Sequence, residues 1–433
     1  MNMKYEKIGS ELFEINRKRL VKELPKGAIA VFNSNDQMPT NADGTMPFKQ
    51  NNDLFYLTGV QQEESCLVIC PDFPDRNLRE VLFLREPSEL LEKWEGHKLT
   101  KKEAQEISGV TAVRWNGDFQ KVFHHMMVMG GVSSVFLNTN EHYRSSVVVE
   151  TRDARFIEWC KSAYPLHRYE RVAPIMASLR SIKQKREIEL MQKACDITEK
   201  GFRRILGFVK PGVMEYEIEA EYVHEFIMNR SRGFAYEPII ASGTNNCVLH
   251  YLENNKKCKA GDLVLLDVAA EYANYNSDLT RTIPVSGKFT KRQKEVYNAV
   301  LRVMRGAIKL MGPSTNFFDY QKMIEKMMEE ELLKLKLISK SETIKKSPDN
   351  PGFRKYFYHG TSHMIGLDVH DVGDMHAKMA IGSAWTVEPG IYIQEEGFGI
   401  RLENNVVIQK NGVMDLMKNI PIEPEEIEEL MNK

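Results

Sequence analysis

The sequence predicts a two-domain protein in which both parts combine helices with strands. Three observations lead there. At 433 residues the chain exceeds what one core of ordinary size holds. Its first part alternates apolar runs of strand length with helical patterns, which predicts a mainly parallel or mixed sheet flanked by helices. Its second part opens on a long amphipathic helix and leads to two strand–turn–strand stretches, each carrying a pair of carboxylates.

The strand-length runs are residues 28–33 (AIAVFN), 54–57, 65–70 (SCLVIC), 80–84 (EVLFL) and 134–138 (SVFLN), with helical patterns over 11–23 and 101–108. The boundary is expected within 170–182, and the domains are drawn as 1–175 and 176–433. Beyond Pro174, Ile188, Met191, Ala194, Cys195, Thr198 and Phe202 recur at helical spacing. That helix starts after Ser181 and stops before Pro211-Gly212. Further helices are expected over 215–230, 290–311 and 317–337. The Met-rich stretches 124–129 and 323–328 read as core filling.

Composition narrows the function classes. The chain is 42% hydrophobic and 27% charged with a formal net charge of -1, a globular balance without the footprint of a nucleic-acid or anionic-membrane partner. The Lys-rich pieces at 183–186 and 255–259 read as solvated faces. No apolar leader opens the sequence and no run approaches eighteen apolar residues, so the expectation is a cytoplasmic protein. The six cysteines, Cys66, Cys70, Cys160, Cys195, Cys247 and Cys258, form no CxxC pair and read as reduced, mostly buried thiols.

The carboxylates that carry the chemistry lie in two stretches of the second part. In GDLVLLDVAAEYANYNSDLTRTIPV, residues 261–285, an apolar run ends at Asp267, the chain turns at NYN, and Asp278 lies on the return strand, directly across the hairpin from Asp267. In AWTVEPGIYIQEEGFGIRLENNVVI, residues 384–408, an apolar strand leads to Glu388 and the return strand to Glu403. Taken singly, each acid reads as a turn or edge residue. Aimed at one place, four carboxylates need roughly four units of positive charge. Two divalent cations supply that, and oxygen donors favour hard ions such as manganese or magnesium over a thiolate-type zinc site.

A third stretch, HGTSHMIGLDVHD at 359–371, holds three of the eleven histidines. His359 and His363 stand at i and i+4, the spacing of two imidazoles on one helix face. Gly360, the β-branched Thr361 and the lack of a Glu after the first His weaken a helical zinc reading.

LLDVAAEYANYNSDLTRT, HGTSHMIGLDVHD, TVEPGIYI and GIRLENNVVI, in this order, resemble the metallopeptidase family that contains aminopeptidase P, prolidase and methionine aminopeptidase. FKQNNDLFYLTG, residues 48–59, is similar to the first domain of its aminopeptidase P and prolidase branch. The resemblance implies an α+β fold: a pseudo-symmetric pita-bread catalytic domain preceded by a smaller mixed α/β domain. It implies metal ligands at Asp267, Asp278, His363, Glu388 and Glu403, with Asp278 and Glu403 bridging two ions. Manganese is the first expectation, with zinc and cobalt as alternatives.

The resemblance also implies the activity. HGTSHMIGLDVHDVG looks more like aminopeptidase P than prolidase, so the expected reaction is hydrolysis of an N-terminal Xaa-Pro bond by a hydroxide bridging two ions. Prolidase, cutting Xaa-Pro dipeptides, is the alternative. Glu388 matches the general base. His250 and His370 match groups that hydrogen-bond the scissile carbonyl, and His359 one that positions substrate near the proline ring. Arg401 pairs with the carboxylates, and Tyr236 matches a tyrosine near the metals. Trp94 resembles a tryptophan supplied to a neighbouring subunit, which implies a homo-oligomer, dimer or tetramer. Tyr358, where the family often has Pro, departs from the pattern, as does AIGSAWTVEPG, which lacks the usual Pro before Gly382 and places Trp385 ahead of the motif; these alter the pocket wall and touch no ligand. The partners are peptides with proline in second position.

Overall fold

The computed structural model describes residues 4–139, 141–142, 147–341 and 352–433. They fall into two units, one ending at Arg180 and one starting at Ser181.

The first unit is built on six strands: β1 Ala28–Asn33, β2 Cys66–Ile69, β3 Glu80–Leu84, β4 Ala112–Trp115, β5 Ser134–Leu137 and β6 Arg168–Arg171. They lie side by side in the order β4-β3-β2-β1-β5-β6, and only β2 runs antiparallel to its neighbours. This is the mixed sheet expected. The edge strands β4 and β6 escape a hydrophobic reading because AVRW and RYER are half-exposed or exposed at most positions. An aromatic cluster of Phe83, Phe119, Phe123 and Phe156 packs on one face.

Residues 54–57 are a correction: they form part of the helix Asn52–Thr58. The Asn51 side chain accepts from the backbone N–H groups of Asp53 and Leu54, and Gly59 closes the helix at φ 68°. The helix is buried over Asp53–Thr58, so no polar face betrays its period. The Met-rich stretches are core only in part. Met126, Met127 and Met328 are buried, whereas Met129 and Met323 are exposed.

In the second unit the helix Lys185–Phe208 packs against Glu215–Met228. Gly201 permits this close approach, since a Cβ there would meet Phe226 Cε1 at 2.7 Å. The helices Lys291–Leu310 and Phe317–Lys334 follow. The sheets come from β7 Ile239–Ser242, β8 Leu263–Asp267, β9 Glu271–Tyr272, β10 Tyr275–Asn276, β11 Thr280–Pro284, β12 Ala384–Val387, β13 Gly390–Ile393, β14 Phe398–Arg401, β15 Asn404–Ile408 and β16 Val413–Asp415. They form ladders β11-β8-β7, β9-β10, β12-β15-β16 and β13-β14. One sequence expectation shifts here. The tight turn of the first hairpin is Ala273-Asn274, both at positive φ, rather than NYN. Asp267 therefore pairs with Thr280, and Asp278 lies two residues before that pair instead of opposite Asp267.

Candidate metal centre and active site

Each hairpin is two short ladders in line, and the acids stand where one ladder gives way to the next. Asp267 is the last residue of β8, and Asp278 falls between β10 and β11. Glu388 falls between β12 and β13, and Glu403 between β14 and β15. A break in a ladder releases side chains from strict alternation, so acids at these joints can turn to one side. The joints are themselves fastened. Glu403 N–H donates to the Thr280 carbonyl at 3.0 Å, which links the two hairpins. The Asn405 carboxamide brackets Asp278, accepting from its N–H at 2.9 Å and donating to its carbonyl at 2.8 Å.

The histidine segment is not helical. It lies along β12, with Thr386 N–H donating to His363 O, Glu388 N–H to Thr361 O, and His363 N–H to Thr386 Oγ1. His363 Nδ1 faces the Met364 carbonyl at 3.0 Å, which places a ring proton there and turns Nε2 towards the acids, the atom that would meet a cation. Nε2 stands 3.4 Å from Asp278 Oδ2 and 3.6 Å from Glu388 Oε1. His370, exposed, stacks on His363 with ring centres 4.1 Å apart and planes 10° apart. Beneath this loop Lys183 pairs with Asp371 at 3.0 Å, both side chains buried. Lys183 is thus no solvated residue, a correction that local charge counting could not supply.

A hydrogen-bonded chain runs along the other side. Arg401 donates to Asp267 Oδ2 at 2.5 Å, to Thr280 Oγ1 at 3.1 Å and to Tyr392 Oη at 2.9 Å. Tyr392 Oη in turn meets His359 Nε2 at 2.8 Å, and His359 Nδ1 meets the Gly360 carbonyl at 2.8 Å. Nδ1 therefore carries the proton, Tyr392 donates to Nε2, and the two guanidinium and imidazole groups share one phenol. Tyr236 Oη donates to Asp267 Oδ1 at 2.6 Å. His250 is exposed, close enough that its charge disfavours protonation of His359. Trp94 lies in the first unit, 81% exposed on the helix Glu89–Glu95.

The electrostatics follow from crowding like charges in a dry place. Burial raises the Asp267 carboxyl, with Arg401 opposing and Asp278 adding to the rise. Glu403 is pushed far up by burial and by Asp278, Glu388 and Asp267. Glu388 rises to about 7, again mainly by burial. Burial opposes charge on His363, yet Asp278 and Glu388 outweigh it and lift the ring to about 9. His359 moves the other way, to about 3, through burial and the Arg401 charge.

The donor set fits divalent cations. Oxygens of Asp278 and Glu403 and a His363 nitrogen lie within 4.8 Å of one another, all three residues buried. Glu403 Oε2 accepts from Thr280, but Glu403 Oε1 is buried without a hydrogen-bond partner. An orphaned carboxylate oxygen at the focus of four acids is costly unless a cation meets it. The hydroxyl of Thr280, which holds Glu403 and Arg401 together, and the phenol of Tyr392 were not singled out in the sequence. Both sit in strand patterns where they read as ordinary filling. For Tyr392 a signal existed: Gly390 and Gly399 share its face, and a Cβ on either would strike its ring or hydroxyl at 2.7 and 2.6 Å.

Comparison with known proteins gives the family. The model of metallopeptidase family M24 matches residues 189–410, and that of the aminopeptidase P N-terminal domain matches residues 13–135. The chain belongs to metallopeptidase family M24 and has the two-domain α+β fold of aminopeptidase P. It is 32% identical to the Xaa-Pro aminopeptidase of Escherichia coli strain K12 over 98% of both chains. It is 31% identical to human Xaa-Pro aminopeptidase 3 over 89% of this chain and 77% of that one. Among solved structures, zinc-substituted Escherichia coli aminopeptidase P in complex with product superposes with a TM-score of 0.85 at 32% identity, covering 99% of each chain.

Proposed function

We propose that this chain is a metal-dependent aminopeptidase that hydrolyses the N-terminal Xaa-Pro peptide bond. The observation that carries the reading is the convergence of Asp278, His363 and Glu403, with one Glu403 oxygen unpartnered and with Glu388 and Asp267 near enough to raise the Glu403 carboxyl. The name shared by the relatives supports the substrate class. Asp267 would hold one ion, His363 and Glu388 the other, and Asp278 and Glu403 both. When bound, two such cations acidify a water and stabilise charge developing on the scissile carbonyl.

The chain's own residues do the rest. Glu388, whose burial favours holding a proton, takes one from the attacking water and returns it to the proline nitrogen. That nitrogen has no hydrogen in the peptide, so cleavage requires this delivery. His250 and His370 orient the scissile carbonyl. His359, held as the neutral tautomer by Tyr392 and Gly360, presents an uncharged ring edge towards proline. Arg401 and Tyr236 fix both oxygens of Asp267.

Manganese is the proposed ion, because four of the five donors are hard carboxylates. The cysteines Cys66, Cys70, Cys160, Cys195, Cys247 and Cys258 are free and buried, which supports a reducing, cytoplasmic setting. Among the described residues no helix is long and apolar enough to cross a membrane. A homo-oligomer is supported by the helix Glu89–Glu95, which buries no residue and exposes Leu90 and Trp94. Assay of Ala-Pro-Ala against Ala-Pro with added manganese tests the reading. Tripeptide cleavage releasing alanine is expected. Cleavage of Ala-Pro alone would replace it with prolidase, and cleavage of neither would remove it.

A further inference from the structure

Two separate segments bring histidines to this site: the loop 243–251, which carries His250, and the run from Tyr358 to Asp371. The loop is anchored at both ends. Asn246 Oδ1 accepts from Gly399 N–H at 2.6 Å, and Tyr251 Oη donates to Glu215 Oε2 at 2.8 Å. Neither anchor touches the histidine run. Tyr358 does connect the two. Its hydroxyl donates to the Cys247 carbonyl at 2.5 Å, three residues from His250. Its ring packs on Tyr392 with centres 4.9 Å apart, and Tyr392 is the phenol that holds His359 and Arg401. Tyr358 is 37% exposed, so its ring does not fill a core. Its hydroxyl, not its burial, accounts for its placement.

We infer that Tyr358 is a positioning residue that fixes the distance between His250 and His359 by tying the Cys247 carbonyl to the Tyr392 ring. A proline at this place could supply neither the hydroxyl nor the stacked ring. The catalytic meaning of that distance rests on the aminopeptidase reading; the tether itself does not.

The test is Tyr358→Phe in the full-length protein, which keeps the ring and removes only the donor to Cys247. In the zinc-loaded protein labelled at histidine ring carbons, the His250 resonance should move while that of the remote His376 stays. An unmoved His250 resonance overturns the inference, whatever the enzyme does. In manganese-loaded protein with Ala-Pro-Ala, Y358F should lower kcat about tenfold with KM within twofold, and Y358F/H250A should be no slower than H250A alone. Losses that multiply in the double variant would show that Tyr358 does not act through His250. Absence of cleavage by the wild type would sink the proposed function while leaving the resonance test in force.

Discussion

Glu388→Gln is predicted to stabilise the chelator-treated protein while abolishing the activity of the metal-loaded one. Glu388 sits at a ladder joint, mostly buried, 3.6 Å from His363 and facing Asp278 and Asp267. Its carboxyl is displaced from an ordinary 4.5 to about 7. A raised carboxyl binds its proton more tightly folded than unfolded. The stability this contributes is present in full below pH 4.5 and is lost as pH rises through about 7. At pH 8 the loss amounts to at most about 3 kcal/mol. Glutamine, near in shape and always neutral, escapes it. The second unit has 253 residues, from 181 to 433. For a domain of that size, 3 kcal/mol corresponds to roughly 6 °C in Tm. Scanning calorimetry in chelator should therefore show E388Q melting several degrees above wild type at pH 8 and within about 1 °C of it at pH 4.5. Added manganese should reverse the order at pH 8, because the cation binds only the folded wild-type site tightly. An E388Q protein that melts below wild type at pH 8 in chelator would mean that Glu388 is stabilising without any cation, the opposite of what its burial dictates.

Three further outcomes are expected. Arg401→Met strands Asp267 and Tyr392 in a buried setting and should cost about 3–5 kcal/mol in urea unfolding; R401K, which keeps charge but loses the fork to three partners, should recover only part of it. Asp153, lifted to about 7 by burial and by Asp53 and Asp36 against the pull of Asn33 and Arg152, loses its contribution as pH rises from about 4 to 7. D153N should accordingly gain up to about 4 kcal/mol at pH 8 and nothing at pH 4, read from denaturant midpoints at the two pH values. Lys183→Met should loosen the loop that holds His370 on His363, raising KM for Ala-Pro-Ala while hydrogen exchange at 364–372 quickens.

How legible this site was depends on what marks each residue. Asp267, Asp278, Glu388 and Glu403 stand out as a set, because two hairpins each carrying two acids next to a histidine run have few bland explanations, although each acid alone has one; the structure brings Asp278 and Glu403 together with His363, with Glu388 3.6 Å from that ring. Their exact disposition was not legible. Asp278 looked like the cross-strand partner of Asp267, whereas the turn at Ala273-Asn274, both left-handed, sets Thr280 opposite Asp267 and leaves Asp278 two residues away. The supporting groups were harder still. Thr280 and Tyr392 belong in any strand, and their roles arise only when Arg401 reaches across from another ladder. Lys183 and Asp371 lie 188 residues apart, and nothing local to either announces a buried pair. In the first unit, the run 54–57 misled for the opposite reason. A short helix buried on all sides has no polar face, and only its caps, Asn51 and Gly59, distinguish it from a strand.

The cluster is expected to work by holding two divalent cations. This is tested most directly by titrating chelator-stripped protein with manganese and following the initial rate of Ala-Pro-Ala cleavage against metal bound per chain. No activity is expected without metal, with a plateau as occupancy approaches two and no plateau at any occupancy in Asp278→Ala. Full cleavage by the stripped protein, or by D278A at equal metal content, would contradict it.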